Sequence, residues 1–87
     1  MDRERMSIGS TVLHFKHEIE KDVKMKYMYR ITGFAKHTET GEMLVIYRSL
    51  WDGEYYARPY SMFMSEVDHE KYPDVVQKYR FEVLDYC

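Results

Sequence analysis

Alternation of apolar and polar residues on both sides of one turn signal constrains this sequence more than any other feature. In residues 25–35 the odd positions are mostly apolar and the even positions carry most of the cations, which is the period of a half-buried β-strand. Glu39-Thr40-Gly41 then has the composition of a three-residue hairpin loop in which Gly41 supplies the left-handed residue. A second apolar run covers residues 43–50. The pattern predicts an antiparallel β-hairpin.

A three-residue loop also fixes an expected register. Ala35 would then pair with Val45, and Gly33 would pair with Tyr47, whose ring can cover the backbone that glycine leaves bare. The opposite face would hold three apolar side chains: Phe34, Leu44 and Ile46. Because these are too apolar to be left in water together, we expect the strand at 43–50 to be central and covered on both sides.

The remaining segments extend this hairpin into a larger sheet. Asp52-Gly53 predicts a second, two-residue hairpin with Trp51 opposite Glu54, and Pro59 ends the strand that follows. Residues 60–67 have the spacing of a short helical turn, and residues 11–16 and 79–84 are the expected first and last strands. The charged, weakly periodic segment 17–23 is expected to be a loop, with a single helical turn as the alternative.

These elements predict a mainly β fold, either a small, strongly bent sheet or a partly open barrel of the SH3-like kind with a short helical turn. The alternative is an α+β domain in which residues 60–78 form one helix on an antiparallel sheet. With 87 residues the chain has room for a single small domain, expected at 7–87 after a disordered tail at 1–6.

Composition excludes several classes of function. The formal net charge is −2, which argues against a protein that coats nucleic acid non-specifically. We find no apolar stretch of the length that a membrane span needs, so no membrane association is expected. The single cysteine, Cys87, leaves no internal disulfide, and we therefore expect a reducing, cytoplasmic location.

Several segments resemble a family of short bacterial proteins. They are His14-Phe15-Lys16, residues 31–42, residues 44–47, residues 58–63 and residues 79–82. Together they resemble the domain of unknown function 1653 family over most of the chain. Shorter family members lack the charged insertion around residues 18–26. The resemblance implies a small bacterial domain but no substrate or reaction.

Arg58 is the leading candidate for ligand binding, because the expected register puts it on the apolar face of its strand beside a rigid proline. A buried arginine needs either a carboxylate or an anionic ligand. Glu82 or Glu66 could supply a structural ion pair, and both interpretations stay open.

A second candidate surface is the cationic face of the strand at 25–35. It would hold Lys24, Lys26, Arg30 and Lys36, with Arg48 on the neighbouring strand and aromatic side chains at its border. Single-stranded nucleic acid sites combine phosphate neutralisation with rings for base stacking. An ordinary solvated strand face has the same composition.

The residues favour a non-enzymatic binding module for an anionic ligand, which would be a nucleotide, a single-stranded nucleic acid or an acidic peptide. The candidate contact residues are His14, Lys16, Arg48, Trp51 and Arg58. We find no Gly-rich phosphate loop and no Cys–His arrangement in the sequence, so no catalytic residue and no cofactor are expected, and a protein without enzymatic activity is favoured over an enzyme.

Two alternatives remain. The first is a small metal-assisted hydrolase that uses His14, His37 and Glu42, although these residues have no recognised ligand spacing. The second is an interaction subunit that forms a homodimer through the apolar outer face defined above.

Overall fold

Five antiparallel strands form one sheet in the computed structural model, which describes residues 6–21 and 23–84. The strands are β1 (Thr11–His14), β2 (Met28–Lys36), β3 (Met43–Ser49), β4 (Tyr55–Pro59) and β5 (Phe81–Val83). A four-residue helix, α1 (Tyr60–Phe63), follows β4, and 3-10 turns at Phe15–Glu18 and Lys24–Tyr27 lie between β1 and β2. The mainly β prediction with a short helical turn is confirmed, and the alternative with a helix over 60–78 is wrong.

The strand order is β4-β3-β2-β1-β5, so the sheet is open and β4 and β5 are its two edges. In a flat sheet, four strand spacings would separate these edges by about 19 Å. The guanidinium carbon of Arg58 on β4 nevertheless lies 5.7 Å from the ring centre of Phe81 on β5. The sheet therefore bends until side chains of its two edges meet across the core.

The β2–β3 hairpin has a longer loop than the sequence suggested. His37 N donates to the Glu42 carbonyl at 2.8 Å, which leaves four residues, 38–41, in the loop, with Gly41 at φ 76°. The His37 side chain closes this loop, because its Nδ1 accepts from the backbone of Glu39 and Thr40. The expected three-residue loop is wrong, although the left-handed Gly41 is confirmed.

The register of this hairpin differs accordingly. Ala35 pairs with Leu44, and a β-bulge between Ile31 and Gly33 shifts the pairing again, so that Ile31 pairs with Tyr47. The expected Ala35–Val45 and Gly33–Tyr47 pairs are wrong.

The bulge also changes which side chains share a face. Past it, Phe34 lies on the same face as Val45, which is fully buried, whereas Leu44 and Ile46 lie on the other face and are half-buried. The expected outer cluster of Phe34 with Leu44 and Ile46 is therefore wrong. β3 is an interior strand between β2 and β4, but the central strand is β2, and the outer face of β3 is only half-buried at Leu44 and Ile46, so the expected coverage on both sides is wrong.

The second hairpin also has four loop residues, because Ser49 N donates to the Glu54 carbonyl. Ser49 Oγ accepts from the backbone N–H groups of Trp51 and Asp52, which stabilises the loop. The expected pairing of Trp51 with Glu54 is wrong by two residues. A shift of two preserves the face of each residue, so Arg58 stays on the core side as expected.

The core lies on the concave side of the sheet. Phe63 and Phe81 stack at 4.1 Å between ring centres and are both fully buried, and Tyr47 packs on their edges. Val12, Ile31 and Met6 complete this cluster. Residues 1–5 of the expected tail and Cys87 lie outside the described residues, whereas Met6 is buried with 4% exposure.

Strand ends differ from the expected ones by two or three residues. β1 stops at His14 because the chain turns into the 3-10 segment Phe15–Glu18, and β2 starts at Met28 after Lys24–Tyr27. The first of these turns extends into the segment 17–23, which was expected to be a loop, and the second lies where the start of β2 was expected. β5 is limited to Phe81–Val83 rather than residues 79–84.

Candidate basic pocket

A pocket of about 310 Å³ opens where the ends of β1 and β4, the turn at 68–72 and the residue before β5 meet. Its lining residues, called the basic pocket below, are His14, Phe15, Lys16, Arg58, Asp68, Lys71, Tyr72 and Arg80. Four of these side chains carry a permanent positive charge and one carries a carboxylate. Three of the five residues expected to contact a ligand, His14, Lys16 and Arg58, meet here.

Arg58 reaches this pocket from the core side of β4. Its Nε donates to the Tyr47 hydroxyl at 3.2 Å, and its guanidinium lies over the Phe81 ring. Among the described residues it forms no ion pair with any carboxylate. The structural pair with Glu82 is wrong, because that carboxylate accepts instead from the backbone N–H groups of residues 78 and 79.

Glu66, the other expected partner, does not neutralise Arg58 either. It is exposed and lies in an isolated β-bridge with Tyr79. Arg58 thus keeps its charge half-buried and uncompensated by the described carboxylates, which leaves it able to bind an external anion.

Arg80 is the second guanidinium of the pocket, and sequence reasoning missed it. Its Nε donates to Ser65 Oγ at 2.9 Å, and its backbone is held by Ser65 and by Phe15. Ser65 Oγ itself donates to the Met62 carbonyl, which orients a lone pair toward Arg80. The residue stands in the segment 79–82 that carried the family resemblance, but nothing in the sequence indicates that Ser65 lies next to it.

His14 is buried, and its environment keeps it uncharged. Burial, together with the positive charges of Arg58, Lys16 and Arg80, lowers the pKa of His14 from its usual 6.5 to about 4. Its Nδ1 accepts from Lys16 N at 3.1 Å, so the proton of the neutral ring sits on Nε2. The ring stacks on Phe15 and meets the edge of Phe81.

The Nε2 atom of His14 is available to a ligand. It has no hydrogen-bond partner within residues 6–21 and 23–84. In the same ranges every fully buried side-chain nitrogen or oxygen does have a partner, so Nε2 is not fully buried, and the residue that carries it lines the basic pocket. His14 therefore supplies a neutral N–H donor beside the two guanidinium groups.

The outer rim is more exposed. Lys16 and Lys71 are exposed, and the ammonium of Lys71 lies 5.5 Å from the Tyr72 ring centre. Asp68, the acidic lining residue, accepts from the backbone of Glu70 and Lys71 and so closes its own turn. Its carboxylate is thereby engaged locally, and the positive charges of the pocket exceed the negative one.

Arg48 and Trp51 do not lie at this pocket. Arg48 points from the outer face of the sheet, where its Nε donates to the Gly53 carbonyl and its guanidinium lies 5.3 Å from the Tyr55 ring centre. Trp51 is in the β3–β4 loop and 53% exposed. The expected contact set is thus divided between two faces of the molecule.

The expected cationic strand face is wrong in its extent. Its first two lysines belong to the turn Lys24–Tyr27, where Lys26 pairs with Glu20 at 2.8 Å. Arg30 does lie opposite Arg48 on the outer face, but the bulge puts Lys36 on the other face. A single-stranded nucleic acid would find two adjacent cations here rather than five.

The expected metal set is not assembled either. His14 is at the end of β1, which pairs with the first residues of β2, whereas His37 and Glu42 flank the loop at the far end of β2. In the part of the chain that the structure describes, no three His, Cys, Asp or Glu side chains are grouped to hold a metal ion.

The proposed dimer face is also divided. Phe34 contributes to a mostly apolar cavity of about 380 Å³ with Met6, Met43 and Tyr60, on the opposite face from Leu44 and Ile46. The two apolar areas therefore do not form one surface.

Together these features define a class: a small antiparallel β-domain whose bent sheet carries an uncompensated basic pocket at its meeting edges. The chain belongs to the family described as "Protein of unknown function (DUF1653)", whose model matches residues 10–83. The expected resemblance is confirmed, and the matched range includes every lining residue of the basic pocket. No curated protein and no solved structure matches the chain.

One further finding concerns membranes. Among the described residues, no helix has both the length and the apolar character needed to cross a bilayer.

Proposed function

We propose that this protein is a non-enzymatic binding module for a small anionic ligand and that the basic pocket is its binding site. The observation that carries the proposal is Arg58, which is half-buried, fixed at Nε and without a carboxylate partner among the described residues. Buried cations are normally paired. A bound anion supplies the missing charge.

The other lining residues support the same chemistry. Arg80 and the two lysines add positive charge around one small concave volume, and the low-dielectric aromatic wall formed by Phe15 and Tyr72 strengthens its effect on an anion. A volume of about 310 Å³ is at the lower end of small-molecule sites, which favours a nucleotide-sized ligand. The outer-face cations Arg30 and Arg48 do not line this pocket, so the described cations do not form one continuous site for a longer single strand or an acidic peptide.

The first test is an amide proton–nitrogen correlation spectrum titrated separately with a nucleotide mixture, short single-stranded oligonucleotides and acidic peptides. We expect the nucleotides to shift the resonances around His14, Lys16, Arg58 and Arg80. These residues are far apart in the sequence but line one pocket. Shifts confined to the outer face around Arg48 would contradict the proposal, as would a spectrum that none of the three ligand sets changes.

A matched pair of variants separates binding from folding. Arg58→Gln removes the pocket charge, and Arg48→Gln removes an arginine that is anchored in the same way on the outer face. We expect Arg58→Gln to weaken nucleotide binding at least tenfold while circular dichroism stays that of the parent protein. Arg48→Gln is expected to bind as the parent does, and equal losses in both variants would refute the pocket as the site.

We also propose a cytoplasmic location. It is supported by the single cysteine in 87 residues, which leaves no internal disulfide to form. Fractionation of cells that express the full chain tests it, and recovery in a membrane or extracellular fraction would overturn it.

A further inference from the structure

We propose that the basic pocket recognises the terminal phosphate of phosphate monoesters, in preference to carboxylates and phosphate diesters. This inference rests on the proposed function above, because it names the chemical class of the ligand at that same site. It is argued from how the two guanidinium groups are anchored, from the donor on His14 and from the charge of the pocket.

The two arginines of the pocket are anchored through the same atom. Arg58 Nε donates to the Tyr47 hydroxyl, and Arg80 Nε donates to Ser65 Oγ. Within residues 6–21 and 23–84, the two terminal Nη groups of each guanidinium form no hydrogen bond, so they can meet a ligand end-on as a pair of donors. Each pair of Nη groups can bind two oxygen atoms of one anion. Two guanidinium groups therefore suit an anion that offers more than one such pair of oxygens.

Counting oxygens distinguishes the classes of anion. A carboxylate or a phosphate diester has two charged oxygens, which two bidentate guanidinium groups already occupy. A phosphate monoester has three, so a third oxygen remains for the Nε2–H of His14 and the ammonium of Lys16, which line the same pocket. A neutral imidazole suits this position because it donates without needing a counter-charge of its own.

Charge favours the same ligand. Lys16, Arg58, Lys71 and Arg80 give four positive charges against the one negative charge of Asp68. A phosphate monoester carries about −1.5 to −2 at pH 7, whereas a carboxylate or a diester carries one negative charge. One bound phosphate monoester therefore neutralises more of the excess positive charge of the pocket than one bound carboxylate or diester does.

The test uses two ligands of nearly the same shape, phenyl phosphate and phenyl sulfate, with benzoate and diphenyl phosphate as the carboxylate and diester. Calorimetric titration at pH 7.5 is expected to give at least tenfold tighter binding for phenyl phosphate than for the other three. Adenosine 5′-monophosphate and glucose 6-phosphate then show whether a base or a sugar beyond the phosphate adds affinity.

Repeating the titrations at pH 5 tests the charge of the bound form. The second ionisation of a phosphate monoester lies near pH 6, so affinity for phenyl phosphate is expected to fall about tenfold if the dianion is the bound form. Phenyl sulfate stays a monoanion at both pH values. It therefore reports any change that comes from the protein itself.

Several titratable or charged groups face His14 and are covered by this sulfate control. They are Lys16 and His17 from the 3-10 turn, Arg58 from β4, Arg80 before β5, and Asp68 and Lys71 on the pocket wall. A change in any of them alters the binding of both esters, whereas ionisation of the phosphate alters only one. A phosphate affinity that follows the sulfate affinity across the pH range would overturn the inference.

Variants that keep the charge but lose the planar donor pair complete the test. Arg58→Lys and Arg80→Lys are expected to lower phenyl phosphate affinity about tenfold each, while Arg48→Lys on the outer face binds as the parent does. The folded state is checked by near-ultraviolet circular dichroism of each variant.

The outcomes separate the two proposals. If none of the anions shifts the resonances of the pocket, the proposed function itself fails. If benzoate or diphenyl phosphate binds as tightly as phenyl phosphate, or if the lysine variants bind like the parent, the pocket binds anions but the assignment to phosphate monoesters fails.

Discussion

Arg58 and Arg48 are held by the same chemistry in two different regions of the molecule. Each donates from Nε to an oxygen, and each lies over an aromatic ring, Phe81 for Arg58 and Tyr55 for Arg48. Phe81 is 1% exposed and belongs to the core, whereas Tyr55 is 62% exposed. One arginine therefore rests on a rigid, dry support and the other on a solvated side chain.

This difference explains why we assign a site to one region and not to the other. Solvent screens the charge of Arg48 and stabilises it without any partner. Around Arg58 the aromatic side chains of the pocket reduce solvation, and further cations line the same pocket. Its charge therefore attracts a nearby anion more strongly than the charge of Arg48 does. Anchoring alone does not make a binding arginine, and the surroundings of the guanidinium decide its role.

The largest expected effect comes from removing the two supporting rings. Phe81→Ala takes away a buried ring that stacks on Phe63 at 4.1 Å, and we expect a loss of about 3–5 kcal/mol in the free energy of unfolding. Tyr55→Ala should change it by less than about 1 kcal/mol. Urea unfolding measures both, and similar losses would show that the outer ring is as well packed as the inner one.

Buried polar residues offer a second comparison between the regions. Gln77, beside the pocket, is 8% exposed and donates from Nε2 to the carbonyls of Leu13 and Tyr79. Ser49 is 4% exposed, and its Oγ accepts from two backbone N–H groups of the β3–β4 loop. We expect Gln77→Ala to lower the free energy of unfolding by about 2–3 kcal/mol and Ser49→Ala by about 1 kcal/mol, because an amide with two donated bonds is lost in the first case. The reverse order, again by urea unfolding, would contradict this account.

Acid should destabilise the pocket region through His14. Its pKa is about 4 in the folded protein and near 6.5 when unfolded, so the unfolded state binds the proton first as the pH falls. Stability is therefore unaffected by this group above pH 6.5 and is lost between pH 6.5 and pH 4. From pH 7.5 to pH 5 the loss attributable to His14 is about 2 kcal/mol.

The measurement compares urea unfolding at the two pH values in the parent protein, in His14→Gln and in His37→Gln. His14→Gln is expected to lose about 2 kcal/mol less than the parent, since it has no imidazole to protonate there. His37→Gln removes a loop-closing imidazole far from the pocket, and it serves as the control for the loss of a histidine elsewhere in the fold. An unchanged pH dependence in His14→Gln would show that His14 is not held neutral.

The sequence predicted the fold better than the register, for a physical reason. Alternation identifies a strand whatever its partner is, so β2, β3 and the end of β4 at Pro59 could be recognised. The register depends on loops that side chains close, such as His37 Nδ1 in the first hairpin, and on the bulge at Ile31/Gly33. Such contacts are local and weak, and a strand pattern does not specify them.

The candidate site could be predicted only in part. Arg58 was recognisable, because a cation on an apolar strand face needs a partner, and His14 was named as a candidate contact without such an argument. Arg80 could not be recognised, since its position depends on Ser65, fifteen residues earlier in the chain, and on the bend that brings β5 to β4. Arg48 was included in the expected contact set although alternation put it on the face opposite Arg58, because the sequence does not show which face of the sheet carries a pocket.

The smallest expected effects come from the left-handed glycines of the two hairpins, Gly41 at φ 76° and Gly53 at φ 77°. Alanine at either position should lower the free energy of unfolding by about 1 kcal/mol, because a Cβ is unfavourable in this conformation.

Only at Gly53 would the new Cβ meet a side chain, 3.2 Å from a terminal guanidinium nitrogen of Arg48. Gly53→Ala thus displaces the outer arginine without removing its charge. We expect both variants to bind phenyl phosphate as the parent does, by calorimetric titration. Weaker binding in Gly53→Ala alone would mean that Arg48 takes part in recognition and that the two regions act together.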